Sequence, residues 1–145
     1  MNQLNHVSTM VLVEELSKSL NTVSWIWGGY TIDIYESKML REHDDLDYLT
    51  LNLHDLIPQF RDLFENQGWK STVLINGDLR LNKQDICIHL GHVDISDCAY
   101  WSHNGKLGSI CFTKEWLIET PVKFCGEDVH VVAPEFQYVL LDNPK

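Results

Sequence analysis

The chain has 145 residues, of which 44% are hydrophobic and 22% charged, and its formal net charge is −10. This length suits a single domain over residues 1–145, and the composition is that of a globular protein rather than a disordered one. The acidic balance and the lack of a Lys or Arg cluster argue against a nucleic-acid polymer as partner. No apolar run approaches the roughly 20 residues that span a bilayer, and no signal peptide is visible, so we expect no membrane association and a cytoplasmic location.

The N-terminal half predicts helices alternating with strands. Apolar residues recur at helical spacing over residues 7–20, which predicts an amphipathic helix. The run "VSWIWGG" predicts a buried strand ending in a tight turn, "YTIDIYESKML" a short helix, and "DLDYLTLN" a second strand. A further helix is predicted over "HDLIPQFRDLFENQG", with Pro58 in its first turn and Gly68 as its stop.

The C-terminal half predicts mainly antiparallel strands. The pair Asn76-Gly77 lies between alternating apolar and polar residues, which indicates a hairpin, and "QDICIHLGHV" predicts a further strand. Two or three late strands are predicted in "GSICFTKEWL" and in "PVKFCGEDVHVVAP", where the turn falls at Gly126, before a short helix from Pro134. The fold class expected is therefore α/β or α+β: a mixed sheet with helices packed on it and extra antiparallel strands in the C-terminal half.

The four cysteines predict no metal cluster. They stand at 87, 98, 111 and 125 without a C-x-x-C pairing. We expect reduced and mostly buried thiols, with Cys111 and Cys125 in the core.

The glycine pair after the first predicted strand is the first candidate site. Gly28 and Gly29 permit positive φ and let a ligand approach the backbone, and a helix beginning there directs free N–H groups at a phosphate. An ordinary strand-to-helix turn is the alternative.

The second candidate site is the acidic pair in Asp45-Leu46-Asp47. Residues two apart on a strand share a face about 6.5 Å apart, near enough for both carboxylates to hold one hard cation. A solvated strand start is the alternative interpretation. A helix that returns the chain would bring the glycine turn beside the acids, which is the arrangement that Mg²⁺-dependent phosphoryl transfer needs.

The stretch "WIWGGYTIDIYESKMLREHDDLD" resembles the DNA-polymerase-β-like nucleotidyltransferase superfamily, and within it the small nucleotidyltransferases that modify lincosamides and aminoglycosides. The matching positions are Gly28, Gly29, Tyr30, Ile32, Asp33, Arg41, His43, Asp45 and Asp47. Fainter resemblances follow in "CIHLGHVD" and "VHVVAPEFQ".

The resemblance implies a role for each matched residue. By position, Gly28 and Gly29 would hold the triphosphate of ATP or another nucleoside triphosphate. Asp45 and Asp47 would bind Mg²⁺, as one ion or as a pair. Arg41 and His43 would lie near the phosphates, with packing in the turn before the strand as the alternative.

One expected carboxylate is out of place. The relatives carry an Asp two residues before a His on a later strand, and with His89 as anchor that position is Cys87. A thiol is a poor ligand for Mg²⁺ because soft ligands prefer other metals. Asp85 would complete the site as third carboxylate or base if a strand shift brought it there.

The leading hypothesis is a Mg²⁺-dependent transfer of a nucleoside monophosphate, AMP from ATP, to a hydroxyl of a small-molecule acceptor, with an antibiotic as one candidate. The rival, favoured by Cys87, is a catalytically degenerate nucleotidyltransferase fold that binds a nucleotide or a protein. A more remote alternative is an antitoxin-type enzyme that modifies a partner protein. A homodimer could supply acceptor-binding residues from a second copy.

Overall fold

A five-stranded mixed sheet organises the protein, and three helices pack on one of its faces. The structure is a computed structural model that describes residues 3–38, 43–94, 98–103, 106–111 and 114–135. Its helices are α1 (Gln3–Ser19), α2 (Tyr30–Tyr35) and α3 (Leu53–Glu65), with a 3-10 turn at Lys114–Trp116. Its strands are β1 (Ser24–Trp27), β2 (Asp45–Leu51), β3 (Lys70–Val73), β4 (Leu79–Lys83), β5 (Ile86–Val93), β6 (Cys98–His103), β7 (Lys106–Cys111), β8 (Val122–Phe124) and β9 (Glu127–Val129).

The strand order in the main sheet is β1-β2-β5-β4-β3. The central pair, β2 and β5, is parallel, whereas β1, β4 and β3 each run antiparallel to the neighbour on their inner side. The strands β6 and β7 form a separate antiparallel pair, as do β8 and β9. The predicted fold class, a mixed sheet with helices and added antiparallel strands, is confirmed.

Alternation along the strands divides the sheet into two faces. The first, which we call the helical face, carries Ile26, Leu46, Tyr48, Ile88 and Leu90, and these pack with apolar residues of all three helices into the main core. The other, which we call the open face, carries a smaller cluster formed by Trp25, Leu49, Val93 and Val132. Because side chains alternate, the residues that precede Leu46 and Tyr48 on β2 emerge on the open face.

Helix ends differ from the sequence prediction more than strands do. The helix α2 stops at Tyr35 instead of continuing to Leu40, because the chain turns back at Ser37, whose φ of 60° is not helical. The helix α3 begins at Leu53, so Pro58 lies in its second turn rather than its first. Phe60 and Phe64, four residues apart, are nevertheless buried as the pattern predicts.

The predicted hairpins are confirmed and one predicted core residue is not buried. The strands β3 and β4 turn through Asn76-Gly77, and β8 and β9 turn at Gly126. Cys125 lies at the tip of that second turn and is exposed, so its expected place in the core was wrong. The side chain of Cys111 and most of the predicted helix from Pro134 lie outside the described residues. Among the described helices, none is long and apolar enough to cross a bilayer.

Candidate active site

The turn between β1 and α2 is packed directly against β2. Gly28 has φ of +79°, a conformation that side chains disfavour, and a Cβ atom placed there would lie only 3.2 Å from Oδ2 of Asp47. Gly29 has φ of −57°, which any residue adopts. The N–H of Thr31 donates to the carbonyl of Gly28 over 3.1 Å and closes the turn. The missing side chain at Gly28 therefore leaves the space that the Asp47 carboxylate occupies.

The acidic pair lies on the open face at the beginning of β2, as predicted. Asp45 is exposed and Asp47 is half-buried, while Asp44 faces solvent. Burial, together with the neighbouring Asp45 carboxylate, raises the pKa of Asp47 above its ordinary value, and His89 acts in the opposite direction. The two carboxylates repel each other, and Asp47 is partly buried. A bound cation would offset this repulsion.

The neighbouring strand places a thiol and an imidazole beside these acids. In the parallel register Asp45 pairs with Cys87 and Asp47 with His89. Burial first, and then the Asp45 charge and a hydrogen bond to that carboxylate, raise the pKa of the Cys87 thiol to about 11. The Cys87 thiol therefore stays protonated, and it stands opposite Asp45 at the position where the resemblance implies a third carboxylate.

Asp85 lies outside the strand. It occupies the exposed turn between β4 and β5, after Gln84, whose φ is 54°. The register between β2 and β5 runs without a bulge from Asp45 opposite Cys87 to Leu51 opposite Val93. Across all described ranges, no three His, Cys, Asp or Glu side chains are grouped so that they could hold a metal ion. The strand shift that would bring Asp85 beside Asp45 is therefore not found in this structure.

His43 is buried on the approach to β2. Its Nε2 lies 2.9 Å from Oδ2 of Asp33, and its ring lies on Tyr30 with 3.9 Å between centroids. His6 in turn contacts the hydroxyl of Tyr30 over 2.5 Å from its Nδ1. Such burial favours the packing role for His43 over contact with phosphates. Arg41, the other residue expected near the phosphates, lies outside the described residues.

Two contacts near the site, His89 with Asp78 and His43 with Asp33, were not predicted from the sequence. His89 Nε2 lies 3.1 Å from Oδ2 of Asp78, and the side-chain amide of Asn76 donates to that same oxygen over 2.8 Å. The available signal was the Asn76-Gly77 turn, because the hairpin it forms sets Asp78 diagonally across from His89 on the open face. The pairing of Asp33 with His43 could not be predicted from spacing, because ten residues separate them and the path of the chain between them decides whether they meet.

The residues present fit a Mg²⁺ ion in part. Asp45 and Asp47 supply the hard oxygen ligands that Mg²⁺ prefers, and they share one sheet face. The Cys87 position does not fit, because a thiol is a soft ligand.

A glycine turn against an Asp-x-Asp strand, on a mixed sheet backed by helices, defines a protein of the nucleotidyltransferase fold. The chain belongs to the aminoglycoside-2''-adenylyltransferase family, whose sequence model matches residues 9–141. No curated protein sequence matches it significantly.

Solved structures agree on the fold. The lincosamide antibiotic adenylyltransferase LnuA, in a lincomycin-bound crystal structure, is similar with a TM-score of 0.67 at 16% identity, over 90% of this chain and 82% of that one. The antibiotic-resistance factor ANT(2'')-Ia in solution gives a TM-score of 0.70 at 16% identity, over 97% of this chain and 75% of that one. The crystal structure of ANT(2'')-Ia in complex with adenylyl-2''-tobramycin gives a TM-score of 0.67 at 16% identity, over 99% of this chain and 79% of that one.

Proposed function

We propose that the protein is a Mg²⁺-dependent nucleotidyltransferase that transfers AMP from ATP to a hydroxyl of a small cationic molecule of the aminoglycoside or lincosamide class, with cleavage of the α–β phosphoanhydride bond and release of pyrophosphate. The observation that carries the proposal is the placement of Asp45 and Asp47 on one strand face, with the Gly28 turn packed 3.2 Å from the Asp47 carboxylate. Family membership supports the reaction class.

The choice of donor and acceptor rests on the relatives. LnuA is an adenylyltransferase seen with lincomycin, and ANT(2'')-Ia is seen with adenylylated tobramycin. The net charge of −10 suits an acceptor that carries positive charge. A cytoplasmic location belongs to the same proposal, because ATP is abundant there.

The chain's own residues have the following roles in this proposal. Asp45 and Asp47 would hold Mg²⁺, which when bound neutralises charge on the phosphate oxygens. Gly28 and Gly29 would bind the triphosphate through the backbone of their turn, which lies against Asp47. His43, fixed by Asp33, positions the start of β2 from the buried side. Arg41 remains a proposed phosphate contact on the strength of the resemblance alone.

Asp85 is the proposed third carboxylate or base only if its turn rearranges when substrate binds. In its present position it is exposed and two residues away from the strand position beside Asp45. A second candidate function, a degenerate nucleotidyltransferase that binds the nucleotide without transfer, is favoured by Cys87 in that position. Both candidates require nucleotide binding.

Calorimetric titration with ATP, in Mg²⁺ and in EDTA, tests the shared requirement. We expect Mg²⁺-dependent binding that Asp45→Asn abolishes, because the substitution removes a charged ligand at nearly constant size. Asp44→Asn is the matched control, since Asp44 is exposed and adjacent, and it should bind as the wild type does. A wild type without Mg²⁺-dependent binding would refute the proposal. Appearance of adenylylated aminoglycoside or lincosamide by mass spectrometry then separates transfer from binding alone.

A further inference from the structure

The strand position beside Asp45 decides how many carboxylates the site offers. Cys87 holds that position in a parallel register that continues through seven residue pairs to Val93. On its other side β5 pairs with β4 down to Lys83 opposite Ile86, so the strand is fixed from both edges. Moving Asp85 into place would break pairs on both sides, whereas leaving the register intact keeps Cys87 there.

A thiol in this position changes the set of metal ligands that β2 and β5 offer. Cys87 is half-buried and lies opposite Asp45 in the register of β5 with β2. At a position where a carboxylate would supply two hard oxygen atoms, it supplies one soft sulfur atom. Mg²⁺ and Mn²⁺ are bound by oxygen ligands in preference to thiols. Within the described part of the chain, these two strands then offer two carboxylates, Asp45 and Asp47, to a divalent ion.

We propose that this site holds a single divalent ion with each bound nucleotide, and that Cys87, which stands opposite Asp45, is not a ligand of that ion. Two-metal sites keep ions about 3.5 to 4 Å apart and need enough carboxylates to share between them. With only two carboxylates, the site would hold the ion that accompanies the nucleotide phosphates. It would hold no second ion on the side of the acceptor. This inference rests on the proposed nucleotide binding, and it restricts what the site does with the nucleotide.

Counting Mn²⁺ ions tests the inference without relying on turnover. Purified protein saturated with α,β-methylene-ATP is titrated with Mn²⁺, and the free ion is followed by electron paramagnetic resonance. We expect one Mn²⁺ for the wild type and for Cys87→Ala, and two for Cys87→Asp. Cys87→Asn is the matched control for Cys87→Asp, because it has the same shape without the charge, and it should bind one. Near-UV circular dichroism checks that each variant is folded.

Each departure from this pattern would overturn the inference in a recognisable way. Two ions in the wild type that become one in Asp85→Asn would show that Asp85 supplies the third ligand. A loss of the ion in Cys87→Ala would show that the thiol is itself a ligand. One ion in a folded Cys87→Asp would show that the missing carboxylate is not the limit. Failure of the analogue to bind the wild type at all would instead refute the proposed function.

Discussion

At the scale of single residues, Asp47 combines a proposed functional role with a cost to stability. Its pKa is raised because burial and the Asp45 charge disfavour ionisation, so the folded state binds a proton more tightly than the unfolded state does. The folded state is therefore favoured at low pH and loses this advantage as pH rises through the raised pKa. Ionised Asp47 destabilises the protein at pH 7 when no cation is bound.

We therefore expect Asp47→Asn to raise the melting temperature at pH 7 by about 2 to 4 °C while it abolishes Mg²⁺-dependent nucleotide binding. Differential scanning calorimetry without metal, beside titration with Mg²⁺ and ATP, measures both effects. Asp44→Asn, which removes an exposed charge nearby, should change neither. A lowered melting temperature for Asp47→Asn would show that the carboxylate is a structural residue instead.

The same scale shows what sequence alone could predict of the site. Asp45 and Asp47 were predictable because strand periodicity alone places them on one face, and Gly28 because a turn must follow a buried strand. The partner of His43 was not predictable, since it depends on how α2 packs against the chain ten residues later. Asp85 illustrates the same limit. It lies outside β5 because the turn from β4 includes it, and the sequence spacing between Asp85 and His89 does not determine where that turn ends.

At the scale of elements, the turn between β1 and α2 contributes to the site through its backbone conformation and not through side chains. The strands of the main sheet were predicted, because buried β-branched and aromatic runs are local signals, whereas β6 (Cys98–His103) was not predicted. The end of α2 was not, because Ser37 adopts a positive φ that its residue type does not require. The turn before α2, by contrast, does depend on residue type at Gly28.

Replacing the two glycines one at a time tests that dependence. Gly28→Ala forces a side chain into φ of +79° and within 3.2 Å of Asp47, so we expect it to lower the free energy of unfolding by about 1 to 2 kcal/mol. It should also weaken Mg²⁺-dependent ATP binding, because the carboxylate must move. Gly29→Ala, at φ of −57°, should change the free energy of unfolding by no more than about 0.5 kcal/mol. Urea unfolding and calorimetry give the two readouts, and equal losses in both variants would contradict this account of the turn.

At the scale of the whole molecule, a partly buried ion pair joins the first helix to the segment that follows β9. His130 follows β9, and its Nδ1 lies 2.7 Å from Oε1 of Glu14 on α1, while its backbone N–H donates to Oε2 over 2.8 Å. The residue after it, Val131, bridges to β1 at Ile26, so this contact ties α1 and the segment after β9 to the sheet edge that precedes the Gly28 turn. The hydrogen bond to Glu14 raises the pKa of His130 above its ordinary 6.5, and burial acts against it.

The direction of this shift predicts how stability depends on pH. A histidine whose folded pKa is raised contributes stability that is complete below the unfolded value of 6.5 and is lost as pH rises through the folded value. We expect His130→Gln to lower the free energy of unfolding by about 1 to 3 kcal/mol at pH 5.5 and by less at pH 8.5. His92→Gln is the contrasting control, because burial and His54 lower the pKa of His92, so its contribution is lost as pH falls below 6.5. Relative to the wild type, the loss of melting temperature between pH 5 and 8.5 should therefore shrink with rising pH for His130→Gln and grow for His92→Gln. Losses that follow the same pH profile in both variants would show that the Glu14 contact does not cause the pH dependence.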